Sequence, residues 1–167
     1  MMFIIFSKNI VRAMCGAVLL FAMAGCAQKV KPAAVMSVEK VALNGYDAVA
    51  YFNSAKAVKA VKADGRYSFE YEGVNWYFET AENFEAFKTE PQDYIPAFGG
   101  FCAYALSEGS LRNSDGKYWQ IHNDTLYLFE DKEAKEEWFT EIEKMIPAAQ
   151  KEWELMNTPS ANNSAQD

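Results

Sequence analysis

Histidine is nearly missing from this chain, with His122 the only one in 167 residues. A zincin helix, which sets two histidines on one face, is excluded. Cysteine is scarce too: Cys15 and Cys26 lie in an apolar leader, and only Cys102 lies in the part expected to fold. One thiol closes no intramolecular bridge, so disulfides contribute nothing to the fold. Methionine after Cys26 is limited to Met36, Met145 and Met156, widely scattered, which argues against a methionine-rich copper scavenger. Basic residues are outnumbered, 16 Lys and Arg against 23 Asp and Glu, for a formal net charge of −7. Such a surface repels phosphate backbones, and no nucleic-acid partner is expected. The Walker loop, nucleophile elbow and dinucleotide fingerprint are all absent.

What is present begins with an address. Lys8 and Arg12 precede an apolar run over 13–24, which ends at Gly25 and Cys26. A basic start, a short apolar stretch and small residues before a cut make a secretory signal. The run is shorter than the about 20 residues that span a membrane. There is no twin-arginine pair, so export is expected in the unfolded state, with any cofactor acquired afterwards. The stretch Met23, Ala24, Gly25, Cys26 resembles the bacterial lipobox, in which the cysteine carries the acyl chains (palmitate among them) and becomes the mature N-terminus. An ordinary signal peptide with a coincidental cysteine is the alternative. Cleavage there removes two basic residues and no acid, taking −7 to −9. Ala27 after the cysteine resembles outer-membrane sorting. Residues 27–41 show no helical or strand period and read as a tether, averaging roughly 20 Å as a coil. The expected organisation is a signal over 1–25, a lipid-anchored tether over 26–41, a folded domain over 42–156 and a disordered tail over 157–167. The location expected is the cell envelope, lipid-anchored on the outer membrane and facing the periplasm.

Within the domain, aromatics make up 15 % of the chain and indicate a well-filled core. Asn44 and Gly45 signal a turn, and Val49, Tyr51 and Phe52 suggest a short strand. Strict alternation over 67–71, a turn at Glu72 and Gly73, and a second run over 74–78 predict a hairpin. Thr80 is placed to cap a helix over 81–89, ended by Pro91. The stretch 94–106 then holds Gly99 and Gly100, whose tight turn fixes Cys102 two residues later. Periodicity does not decide between strand and short helix for 101–106. A second hairpin is predicted over 117–122 and 125–129. Asp131 then caps a helix with a stripe of Trp138, Ile142, Met145, Ala149 and Trp153, which Pro147 is expected to kink or break. The fold class expected is α+β: a small antiparallel sheet built from two hairpins, packed by a short and a longer helix.

Four segments carry a resemblance: 44–52, 77–87, 91–104, and Trp119 with 126–128. The chain resembles YHS-domain proteins of the exported bacterial branch over roughly residues 43–140. The Gly99, Gly100, Phe101, Cys102, Ala103 segment is the most specific part. Metal-binding relatives carry cysteines at positions that fall here on Ala50, Glu79 and Asn83, so their thiolate set is not inherited as it stands. The chain also departs at Ala48 and Gly116, where relatives usually carry proline.

Cys102 is either a buried structural thiol, the commoner fate, or a thiolate activated by a helix starting after Gly100. His122 is either an exposed hairpin residue or a ligand or general base. Asp47 lies in the 44–52 segment, where Asp more often closes a turn than does chemistry. The resemblance and the fixed thiol together imply a module that binds a small ligand or a transition metal, such as copper, through Cys102, with His122 and Asp47 assisting. Tyr51, Tyr104 and Trp119 are candidates to line a ligand pocket. The module is expected to be non-catalytic. The alternatives are a structural or interaction lipoprotein in an envelope assembly, or a thiol enzyme built on a Cys102–His122 dyad.

Overall fold

The computed structural model describes residues 37–38, 40–53 and 60–158. The expected signal over 1–25, the expected acylation site Cys26, the expected tether as far as residue 36 and the expected tail from 159 lie outside the described residues. Strands β1 (Ser37–Val38) and β2 (Val41–Ala42) pair antiparallel. Residues 37–38 and 41 were expected in the tether. They are held instead in the sheet, because Val41 also pairs in parallel with Asn75.

The second expectation that fails is the strand over 49–52. Residues Ala48–Asn53 form a helix, α1. Valine and aromatics favour strands only weakly, and here local capping prevails. The Asp47 carboxylate accepts from Val49 N–H at 2.9 Å and Ala50 N–H at 3.1 Å, satisfying the first free donors of the turn. The first hairpin forms as its pattern requires, with β3 (Tyr67–Tyr71) and β4 (Val74–Phe78) in full antiparallel register. Together they give a four-stranded sheet of order β1-β2-β4-β3.

Thr80 caps α2 (Ala81–Thr89), its hydroxyl accepting from Asn83 N–H, and Pro91 opens a short 3-10 turn after it. A second 3-10 segment, Ala97–Gly100, carries left-handed Phe98 and Gly99 and leads into α3 (Ala103–Ser107). The ambiguity over 101–106 thus resolves as helix from Ala103 onward, with Phe101 and Cys102 extended. Gly100 has φ +82, and a Cβ there would stand 2.5 Å from the Leu43 side chain, so only glycine fits.

The second hairpin, β5 (Asp115–His122) and β6 (Thr125–Phe129), stands as its own two-stranded sheet. Asp131 caps α4 (Lys132–Thr140), its carboxylate accepting from Ala134 N–H at 2.7 Å. The break expected at Pro147 falls upstream, at Glu141, and α5 (Ile142–Asn157) runs through the proline. Asn157, expected at the start of the tail, closes α5.

The fold is α+β, with both hairpins in place and each in a sheet of its own. Two apolar clusters form its interior. Leu126 and Leu128 of β6 join Leu43, Val49, Tyr51, Trp76, Phe78 and Phe87 in the first. Tyr127 and Phe129 join Phe98, Cys102, Leu106 and Trp138 in the second, where Met145, Ala149 and Trp153 extend the expected stripe. Alternation along β6 therefore sends one face to each cluster, and the strand is buried on both sides.

Candidate functional site

Cys102 is the N-cap of α3, and its solvent exposure is 0 %. Its own N–H donates to the Arg112 carbonyl at 2.9 Å, which fixes the backbone. Its Sγ accepts from Ala105 N–H at 3.5 Å. A helix does begin after Gly100, as the activated-thiolate reading requires. Burial nevertheless outweighs the amides, and the thiol pKa lies above its ordinary 9.0. The sulfur is held as a neutral thiol.

His122 ends β5 beside the Asn123–Asp124 turn, with Nε2 3.2 Å from Asn123 Nδ2. Cys102 bridges to Leu128, whereas His122 pairs with Thr125, three residues away on β6. Three strand residues span about 10 Å, so Cys102 and His122 form no dyad.

Asp47 is wholly buried. Beyond its two bonds into α1, Oδ2 accepts from Glu79 N–H at 2.9 Å and from Asn83 Nδ2 at 2.8 Å. Asn83 Oδ1 in turn accepts from Asn53 Nδ2 at 2.7 Å. All its bonding capacity is used on the framework. Ala50, Glu79 and Asn83, the positions at which the resemblance places cysteines in metal-binding relatives, thus all bond to one carboxylate. No group of three or more His, Cys, Asp and Glu side chains suited to a metal occurs among the described residues. The expected metal set of Cys102, His122 and Asp47 is corrected on that ground, since the three stand apart and two serve as buried caps.

The expected pocket of Tyr51, Tyr104 and Trp119 is also corrected. Tyr51 and Trp119 meet edge to face, with centroids 5.2 Å apart, and the Tyr51 hydroxyl donates to the Gly116 carbonyl at 2.9 Å. Burial pushes the Tyr51 phenol far above its ordinary value of 10.0. Tyr104 packs in the other apolar cluster. These side chains fill the interior.

An open groove of about 460 Å³ lies elsewhere, lined by Val41, Asn44, Gly45, Lys62, Ala63 and Tyr77. It is built from an irregular antiparallel contact in which Asp47 N–H donates to Val61 O and Ala63 N–H to Gly45 O, both at 2.9 Å. That contact sets Lys62 opposite Tyr46, and the ammonium lies 5.6 Å from the Tyr46 ring centroid. The Tyr77 ring closes one wall, and a Cβ on Gly65 would stand 3.1 Å from it.

The groove's turn is strained. Leu43 (φ 51), Asn44 (φ 53) and Gly45 (φ 83) are consecutive left-handed residues, and two of them are not glycine. Such a conformation costs an L-residue about 1–2 kcal/mol. Asn44 Oδ1 is shut from solvent with no hydrogen-bond donor among the described residues. The sequence marked Asn44 and Gly45 as a turn and gave no sign of Lys62. Their convergence depends on a contact across 16 residues that no local pattern records.

Comparison with family models, with curated proteins and with solved structures gave no match. No helix among the described residues is long and apolar enough to cross a membrane.

Proposed function

We propose that this chain is an exported lipoprotein of the cell envelope, anchored through Cys26, whose YHS-like folded part is a non-catalytic ligand-binding module. Its ligand occupies the groove beside Asn44 rather than Cys102. The observation that carries this reading is the strained run Leu43–Asn44–Gly45, with an unsatisfied buried amide oxygen, at the edge of an open groove. Strain of this kind persists where the surrounding structure holds it and collects at ligand sites. A volume of about 460 Å³ lies within the range of small-molecule sites. The meeting of Ala50, Glu79 and Asn83 at Asp47 supports the YHS resemblance, because positions linked only by that likeness are neighbours in space.

The test uses the full chain purified from its own membranes in mild detergent, analysed by native mass spectrometry and elemental analysis. A small organic adduct that leaves on unfolding is expected, with no stoichiometric metal. The Cys26→Ser variant is expected to lose incorporated palmitate and membrane attachment. A stoichiometric transition metal that disappears in the Cys102→Ser variant would restore the thiol-centred reading and remove this one.

A further inference from the structure

Resting on the groove reading above, we infer that the groove takes a small organic carboxylate, with Lys62 as its counter-charge. Lys62 is exposed and has no carboxylate partner among the described residues. The acid nearest along the sequence, Asp64, is engaged by Arg66, through its backbone N–H at 2.9 Å and its guanidinium at 3.2 Å. In a chain of net charge −7, an unpaired cation at the rim of a groove is a local reversal of sign.

That cation is also positioned. The two backbone bonds on either side of Lys62 fix its Cα, and the Tyr46 face holds the ammonium. A preplaced charge loses less side-chain freedom on binding than a solvated lysine does.

The groove therefore offers an ammonium beside the apolar surfaces of Val41, Ala63 and the Tyr77 ring. A carboxylate on a compact apolar or aromatic body complements that lining. A cationic or purely polar ligand does not.

The experiment compares benzoate, benzamide and benzylammonium, three probes of one shape that differ in charge. Binding to the full chain is read by ligand-detected NMR, in the wild type and in Lys62→Gln, Lys62→Arg and Lys132→Gln. Benzoate is expected to bind about five-fold more tightly than benzamide, the size of effect an exposed ion pair contributes, with benzylammonium weakest. The preference should vanish in Lys62→Gln and survive in Lys62→Arg. It should also survive in Lys132→Gln, a remote lysine paired with Glu136. Equal binding of benzoate and benzamide would overturn the carboxylate inference and leave the groove reading standing. A benzoate preference that persists in Lys62→Gln would overturn the assignment to Lys62. Failure of all three probes to bind a folded chain would remove both.

Discussion

Replacing Asp47 with alanine would leave three backbone amides and the Asn83 side chain facing a gap once filled by their shared acceptor. Each buried donor left without a partner costs about 1–3 kcal/mol. Asp47→Ala is therefore expected to lower stability in urea unfolding by at least about 3 kcal/mol. Asp47→Asn keeps one acceptor oxygen and turns an NH2 toward donors, so it should retain less than half of the wild-type margin. A change under about 1 kcal/mol in either variant would show that the hydrogen bonds do not carry the weight given to them. Two other buried groups set a pH limit. Burial raises the Tyr51 phenol above 10.0 and the Cys102 thiol above 9.0, so both bind protons more tightly folded than unfolded. Their contribution is full at neutral pH and declines once pH passes the unfolded values, first that of Cys102 and then that of Tyr51. Melting temperature should therefore fall above pH 9 and more steeply above pH 10. Tyr51→Phe should flatten the steeper part while lowering neutral-pH stability by about 1–3 kcal/mol, because the Gly116 carbonyl loses its donor.

At the scale of elements, what could be read in advance was set by local chemistry. Thr80 and Asp131 each stand before a helical pattern, and both cap as expected. The two hairpins follow from alternation and from turns at Glu72–Gly73 and Asn123–Asp124. Helix α1 was hidden because Val49, Tyr51 and Phe52 carry strand propensity, and the Asp47 cap that overrides it looked like a turn residue. Pro147 misled differently. The interruption at Glu141 restarts the helix at Ile142, so the proline falls in the second turn with its ring exposed. The left-handed Leu43 was out of reach, since side-chain preference opposes that conformation and only tertiary packing enforces it. Its side chain lies against Gly100, so the two segments are mutually dependent. Gly100→Ala would put a methyl 2.5 Å from Leu43 in a backbone region that alanine avoids. A loss of about 2 kcal/mol or more is expected by thermal or urea unfolding, accompanied by disturbance of NMR signals in the Leu43–Gly45 turn. A silent substitution would break the link drawn between diglycine and groove.

For the whole molecule, the candidate site was the least legible part of the sequence. The residues that looked chemical, Cys102 and Asp47, are consumed by architecture, and the groove that remains open is assembled from a lysine, a tyrosine and a turn. That exchange follows from β6. Leu126 and Leu128 press into one cluster while Tyr127 and Phe129 press into the other. The strand is a party wall, and neither room can be opened without flooding the other. Calorimetry should accordingly show a single melting event, and the amides of residues 126–129 should be the last to exchange with heavy water. For the groove at the edge of the first room, the consequence is mechanical. Any ligand that steadies the Leu43–Gly45 turn pulls, through Leu43 and the wall behind it, on the melting point of the entire domain.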